Sequence, residues 1–191
     1  EDLIEEQNVA ITLTHFGYIK RLPEDTYKTQ KRGGKGITGL TTREEDFVKD
    51  LFITSTHDYL MFFTNKGKVY RIKAYQIPEA RRQAKGTALV NLMQLDTQEK
   101  VTAVIPIKDF NIEDEFLLLV TKKGTIKKTK LNMFDTSRKS GLIAIKLADD
   151  DELISVKKTD GTKDIFIVTK KGKAIRFNEK DVRDMGRNAA G

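Results

Sequence analysis

The chain has 191 residues, of which 38% are hydrophobic, 33% charged and only 3 proline, so it is the size of one or two domains and too apolar to be disordered. It contains no cysteine, which excludes a disulfide framework, a thiol nucleophile, a zinc ribbon and an iron–sulfur cluster, and no apolar run approaches the ~20 residues of a membrane helix. Its formal net charge of +7 favours an anionic partner without choosing between nucleic acid, membrane surface and acidic protein.

In chain order, the sequence opens on the acidic stretch Glu1-Asp2-Leu3-Ile4-Glu5-Glu6, with neither an initiator Met nor a signal pattern, and reads as a piece of a longer polypeptide. Four similar segments follow: VAITLTHFGYIKRL from Val9, YLMFFTNKGKVYRI from Tyr59, FLLLVTKKGTIKKT from Phe116 and IFIVTKKGKAIRF from Ile165. Each is an apolar run, a Thr, two residues, a Gly and an alternating run, and the glycines Gly17, Gly67, Gly124 and Gly172 recur at the period of a propeller blade. β-Branched and aromatic residues flanking a Gly-containing turn predict a β-hairpin in each copy. In the run 68–72, the alternation predicts one basic face. A second glycine follows each turn glycine, at Gly36, Gly86, Gly141 and Gly191, and beyond it lie shorter apolar segments at 51–54, 101–107 and 153–156 that would close four-stranded units. The fold expected is all-β and propeller-like, with about four blades starting near 9, 59, 116 and 165, no separate second domain, and a ring that is open or incomplete.

Charge is segregated along these repeats. The four windows from turn glycine to second glycine carry a net +15 and the remaining residues −8, which together make the +7 of the chain. Solubility gives no reason to separate the signs in register with a repeat, whereas a belt of Lys and Arg suits a curved polyanion such as duplex DNA. The candidate rim contacts are Arg71, Arg81, Arg82 and Lys85 in the second window, Lys127, Lys128, Arg138 and Lys139 in the third, and Arg176 and Arg187 in the fourth. Membrane attachment is disfavoured, because no basic amphipathic helix is present.

The first window holds Gln30, Lys31, Arg32, Gly33, Gly34, Lys35 and Gly36. Glycines there allow close backbone approach to phosphate, and three cations supply charge. The G-x-G-x-x-G match at 34–39 is followed by no apolar helix and is not a dinucleotide site. At this box the sequence resembles the C-terminal domain of the DNA gyrase A protein, whose hallmark is close to QRRGGKG and which here reads QKRGGKG. The resemblance covers essentially the whole chain, with degenerate boxes at 80–86 and 186–191. It implies a β-pinwheel, a disc whose blades exchange a strand with their neighbours, usually six in number. It further implies wrapping of duplex DNA within an ATP-dependent type II topoisomerase, in a bacterial cytoplasm. On the same resemblance, the partners are the remainder of the gyrase A protein and the gyrase B protein, two of each, while ATP and Mg²⁺ serve other parts of the assembly and this domain takes no cofactor. The alternatives are the corresponding domain of topoisomerase IV, which lacks an intact box, and a propeller used as a protein-interaction platform.

No catalytic constellation is expected. His15 and His57 lack metal or catalytic spacing, and residues 149–152 form an acidic turn without the Gly and closing Glu of a calcium loop. No metal site is predicted.

Overall fold

The computed structural model describes residues 1–26, 46–138 and 140–191. Its strands are β1 (Asn8–Thr14), β2 (Tyr18–Pro23), β3 (Val48–Ser55), β4 (Tyr59–Thr64), β5 (Lys68–Lys73), β6 (Thr87–Ala88), β7 (Val101–Ile107), β8 (Phe116–Thr121), β9 (Ile126–Lys130), β10 (Leu142–Ile143), β11 (Leu153–Thr159), β12 (Asp164–Val168) and β13 (Ala174–Asn178). They form four sheets in the orders β3-β1-β2-β6, β10-β5-β4-β7, β11-β8-β9 and β12-β13. The chain divides into two compact units, one of Glu1–Met61, Arg71–Lys100 and Pro106–Lys108, the other of Phe62–Tyr70, Val101–Ile105 and Asp109–Gly191.

Each repeat begins as the hairpin that its sequence predicts. The turn Thr is what holds it: Gly17, Gly67, Gly124 and Gly172 each donate a backbone N–H to the carbonyl of the Thr three residues earlier, at 3.0 Å in every case. In three repeats the same Thr hydroxyl accepts a second N–H, from Tyr18, Thr125 and Lys173. A side chain that is both β-branched and an acceptor fits this position on both counts. The first strand of the early repeats is buried along its length, since Val9 to Thr14 and Leu60 to Thr64 are all inaccessible, which explains why it reads as an unbroken apolar run rather than an alternation.

Two features are not visible in the sequence as strands. The two-residue strand β6, just after Gly86, adds to the edge of β2 with Ile19 opposite Thr87 and Tyr18 opposite Ala88. In the same register β10, just after Gly141, adds to β5 with Val69 opposite Leu142 and Lys68 opposite Ile143. The first and second repeats thus each receive an edge strand from their successor, which covers main-chain groups that would otherwise form an open edge. The longer segments beyond, at β3, β7 and β11, pair instead with the first strand of their own repeat.

The acidic N-terminal stretch packs in the first unit against the turn after β3. Gln7 and Thr56 exchange backbone and hydroxyl hydrogen bonds, and the His57 imidazole Nε2 lies 2.8 Å from the Ile4 carbonyl. Both histidines thus have structural surroundings, His15 being stacked on Phe47 with ring centres 4.8 Å apart. The acidic turn 149–152 is tied to the β8–β9 hairpin, where Asp151 accepts the Lys123 N–H and the Lys123 ammonium donates to the Asp149 carbonyl.

Candidate nucleic-acid interface

The segment 80–86 of the second repeat folds over the end of β2. It enters parallel to the strand, with Arg21 donating to the Pro78 carbonyl and Ala80 donating to the Arg21 carbonyl, and turns through an Ala84 to Arg81 hydrogen bond. It leaves through Gly86, whose φ is +94°. A Cβ at Gly86 would lie 2.6 Å from the Ile19 carbonyl, so both the conformation and the close approach require glycine. At the centre of this turn is the Lys20 ammonium, which donates to the carbonyls of Arg81, Arg82 and Ala84 at 3.3, 2.5 and 3.1 Å. Three N–H donors meet three inward-facing carbonyls.

The second unit repeats the arrangement. Met185 donates to the Lys128 carbonyl, Ala189 donates to Gly186, and Gly191 closes the segment at φ +102°. Here the Lys127 ammonium donates to the carbonyls of Ala144, Arg187 and Ala189 at 2.7, 2.6 and 3.1 Å. Lys20 and Lys127 occupy the same place in their repeats, three residues after the turn glycine, and both are buried. Burial, reinforced by the nearby Arg187 guanidinium, lowers the Lys127 titration to about 8. Burial also lowers that of Lys20.

Three of the expected rim contacts are therefore corrected. Lys127 is 1% exposed, Lys128 6% and Arg71 7%. The Lys128 ammonium donates to the Glu179 carbonyl and lies over the Phe116 ring, while the Arg71 guanidinium sits over the Tyr59 ring at 4.8 Å. The run 68–72 consequently has no exposed basic face, because Val69, Tyr70 and Arg71 are all buried. Apart from Arg176, the described candidates that present charge lie on the box-equivalent segments. Arg81 and Lys85 are exposed, with Lys85 Nζ 4.0 Å above the Tyr18 ring, and Arg82 is half-buried and donates to the Thr26 carbonyl. Arg138 is exposed and donates to the Ser140 carbonyl, and Arg187 donates to the carbonyls of Met133 and Ile143. Arg176 is exposed on β13 and paired with Asp164 at 3.0 Å. Residues 30–36 and Lys139 lie outside the described residues.

Sequence reasoning misses Lys20 as a site residue. Its signal is present, because a lysine recurs at one position of two repeats between residues of otherwise buried strands. Among the described residues, no group of three or more His, Cys, Asp or Glu side chains is placed to hold a metal ion, and no helix is long and apolar enough to cross a membrane.

The DNA gyrase A protein of Clostridium acetobutylicum is 65% identical over all 191 residues, and that of Halalkalibacterium halodurans 54%, with the chain spanning 23% of the length of each. A solved DNA gyrase A C-terminal domain is 33% identical and superposes with a TM-score of 0.72 over 97% of this chain and 59% of that one. A topoisomerase IV C-terminal domain is 31% identical with a TM-score of 0.83, over 99% and 57%. The two enzymes' domains share the fold, so superposition does not separate them, whereas the level of sequence identity sides with gyrase. The sequence profile of the family described as DNA gyrase C-terminal domain, beta-propeller, matches residues 9–55, 58–108, 115–160 and 163–191, and the chain belongs to that family.

Proposed function

We propose that this chain binds duplex DNA along its box segments and bends or wraps it, as a non-catalytic part of a gyrase that introduces negative supercoils. The observation carrying this reading is the placement of exposed Arg81, Lys85 and Arg138 on equivalent segments of successive repeats, beside the exchanged strands β6 and β10, while the remaining sequence is net acidic. Cations that recur on the same segment of successive repeats neutralise phosphates and read no base sequence. The box at 30–36, with Lys139, Arg82, Arg176 and Arg187, belongs to the same set. Its glycines suit close contact at one end of the wrapped segment, and a bend of a short site costs of order 1–6 kcal/mol, which a continuous series of contacts offsets.

The rest of the gyrase A protein and the gyrase B protein are the proposed partners, and ATP and Mg²⁺ are assigned to those parts, in the bacterial cytoplasm. The test is affinity for a mixed-sequence duplex as salt is raised. A steep fall that is indifferent to sequence supports the reading. Salt-independent binding, or none, sends the basic segments to an acidic protein partner instead.

A further inference from the structure

We infer that Lys20 and Lys127 are positioning residues for DNA contact, each holding the box-equivalent segment of the following repeat in the turn that presents its basic side chains. The inference rests on the DNA-binding reading above and adds residues that touch no DNA. Its basis is geometric. Each buried ammonium sits inside a loop of backbone and donates to three carbonyls, two of which, in both units, belong to the residues four and two before the closing glycine: Arg82 and Ala84 around Lys20, Arg187 and Ala189 around Lys127. The residue four before the closing glycine is an arginine in both, so the lysine fixes the main chain from which that guanidinium projects.

An ammonium brings three donors and a neutral amine only two, so loss of the proton leaves one of the inward carbonyls unmatched. The groups around Lys127 set when this happens. Leu119 lies opposite on β8, Ala144 and Ile145 follow β10, and the cation facing it is Arg187 from the segment itself. Lys128, its neighbour on β9, is directed instead to Glu179. With a titration near 8, the Lys127 contact weakens within an accessible pH range.

Two quantities then move in opposite directions. The folded state holds the Lys127 proton less tightly than an unfolded chain does, so between about 8 and 10.5 this group by itself makes folding more favourable as pH rises. DNA contact through the segment falls over the same range. A lysine with a purely structural role would not produce that opposition.

The experiment uses the 191-residue chain, a mixed-sequence duplex, a salt series at pH 7 and pH 9, and nitrogen-detected NMR of the lysine side chains. The expected result is a Lys127 amine titrating near 8, and a salt slope shallower by about one unit at pH 9 than at pH 7. Lys127→Met should already show the shallower slope at pH 7 and no further change at pH 9. Lys127→Met combined with Arg187→Ala should bind no more weakly than Arg187→Ala alone, because the lysine acts through the arginine. Should Lys127→Met fail to fold, the pH series on the unaltered chain carries the test. A wild-type slope and pH response in Lys127→Met, or a pH-independent slope in the unaltered chain, overturns the inference while leaving DNA binding intact. Absence of duplex binding by the unaltered chain at pH 7 overturns the DNA reading and this inference together.

Discussion

The junction between the first and second repeats and the junction between the second and third use the same strand exchange but different fastenings. At the first, β6 pairs with β2 and the preceding turn closes on the Lys20 ammonium. At the second, β10 pairs with β5 in the same register, but the residue three after the turn glycine is Tyr70. The segment there satisfies some of its own carbonyls, with the Thr136 hydroxyl donating to Arg138 and the Arg138 guanidinium donating to Ser140. Strand exchange is thus common to both, while the turn before it is held from beneath in one case and from within in the other. The turn held from within ties the Arg138 guanidinium, itself exposed, to the Ser140 carbonyl, whereas over the ammonium beneath 80–86 the carbonyls are matched by Lys20 and Arg81 stays exposed.

The largest expected effect that separates the two junctions is on glycine. Gly86→Ala should destabilise the chain by about 3 kcal/mol or more, from the positive φ and the Ile19 carbonyl in the way. Gly141→Ala meets only the end of the Arg138 side chain at 3.7 Å and should cost about 1 kcal/mol. Chemical denaturation of both variants checks the contrast, and equal losses would break it.

Next comes Lys20→Met, which fills the same volume without donors. Leaving carbonyls buried and unmatched should cost about 1–3 kcal/mol, with the loss seen as faster amide hydrogen exchange at Ala84. Replacing exposed charge should do the reverse. Arg81→Gln with Lys85→Gln should leave the thermal midpoint unchanged and reduce the DNA salt slope by about one unit per lost phosphate contact. Arg71→Gln, being inside, should lower the midpoint and leave the slope alone.

The smallest effect is expected at Asp164. A hydrogen bond from Arg176, with a second from Asn178, holds its carboxyl below the usual value. Such a group favours folding above its unfolded titration and loses that contribution as pH falls through the folded one. Arg176→Gln should return the Asp164 titration toward 3.8, read by NMR, with almost no change in stability because both groups are exposed.

Much of the hairpin architecture is legible because it is local. A Thr and a Gly at fixed spacing determine a turn through hydrogen bonds only three or four residues long. What is not legible depends on distant chain. β6 and β10 have two residues each, too few for any periodicity, and before β6 the chain must also bring Gly86 close to the Ile19 carbonyl. Lys127, Lys128 and Arg71 read as surface in the sequence because charge is exposed by default. Only the converging carbonyls of a remote segment make burial of such a lysine tolerable, and a sequence does not display the direction of a carbonyl.

The exchanged strands also govern the order in which the chain is completed. A hairpin such as β1–β2 can close within microseconds of its residues becoming available, yet the groups that cover its edge lie far along the chain, 62 residues from Lys20 to Arg82 and 60 from Lys127 to Arg187. During synthesis, at about 5–20 residues per second, each new hairpin therefore waits several seconds with one side uncovered until its successor emerges. Assembly proceeds from the N-terminus, the first and second repeats each being finished by the next one made. The interval of greatest exposure to wrong pairing between neighbouring nascent chains falls just before Gly86, and then Gly141, leaves the ribosome.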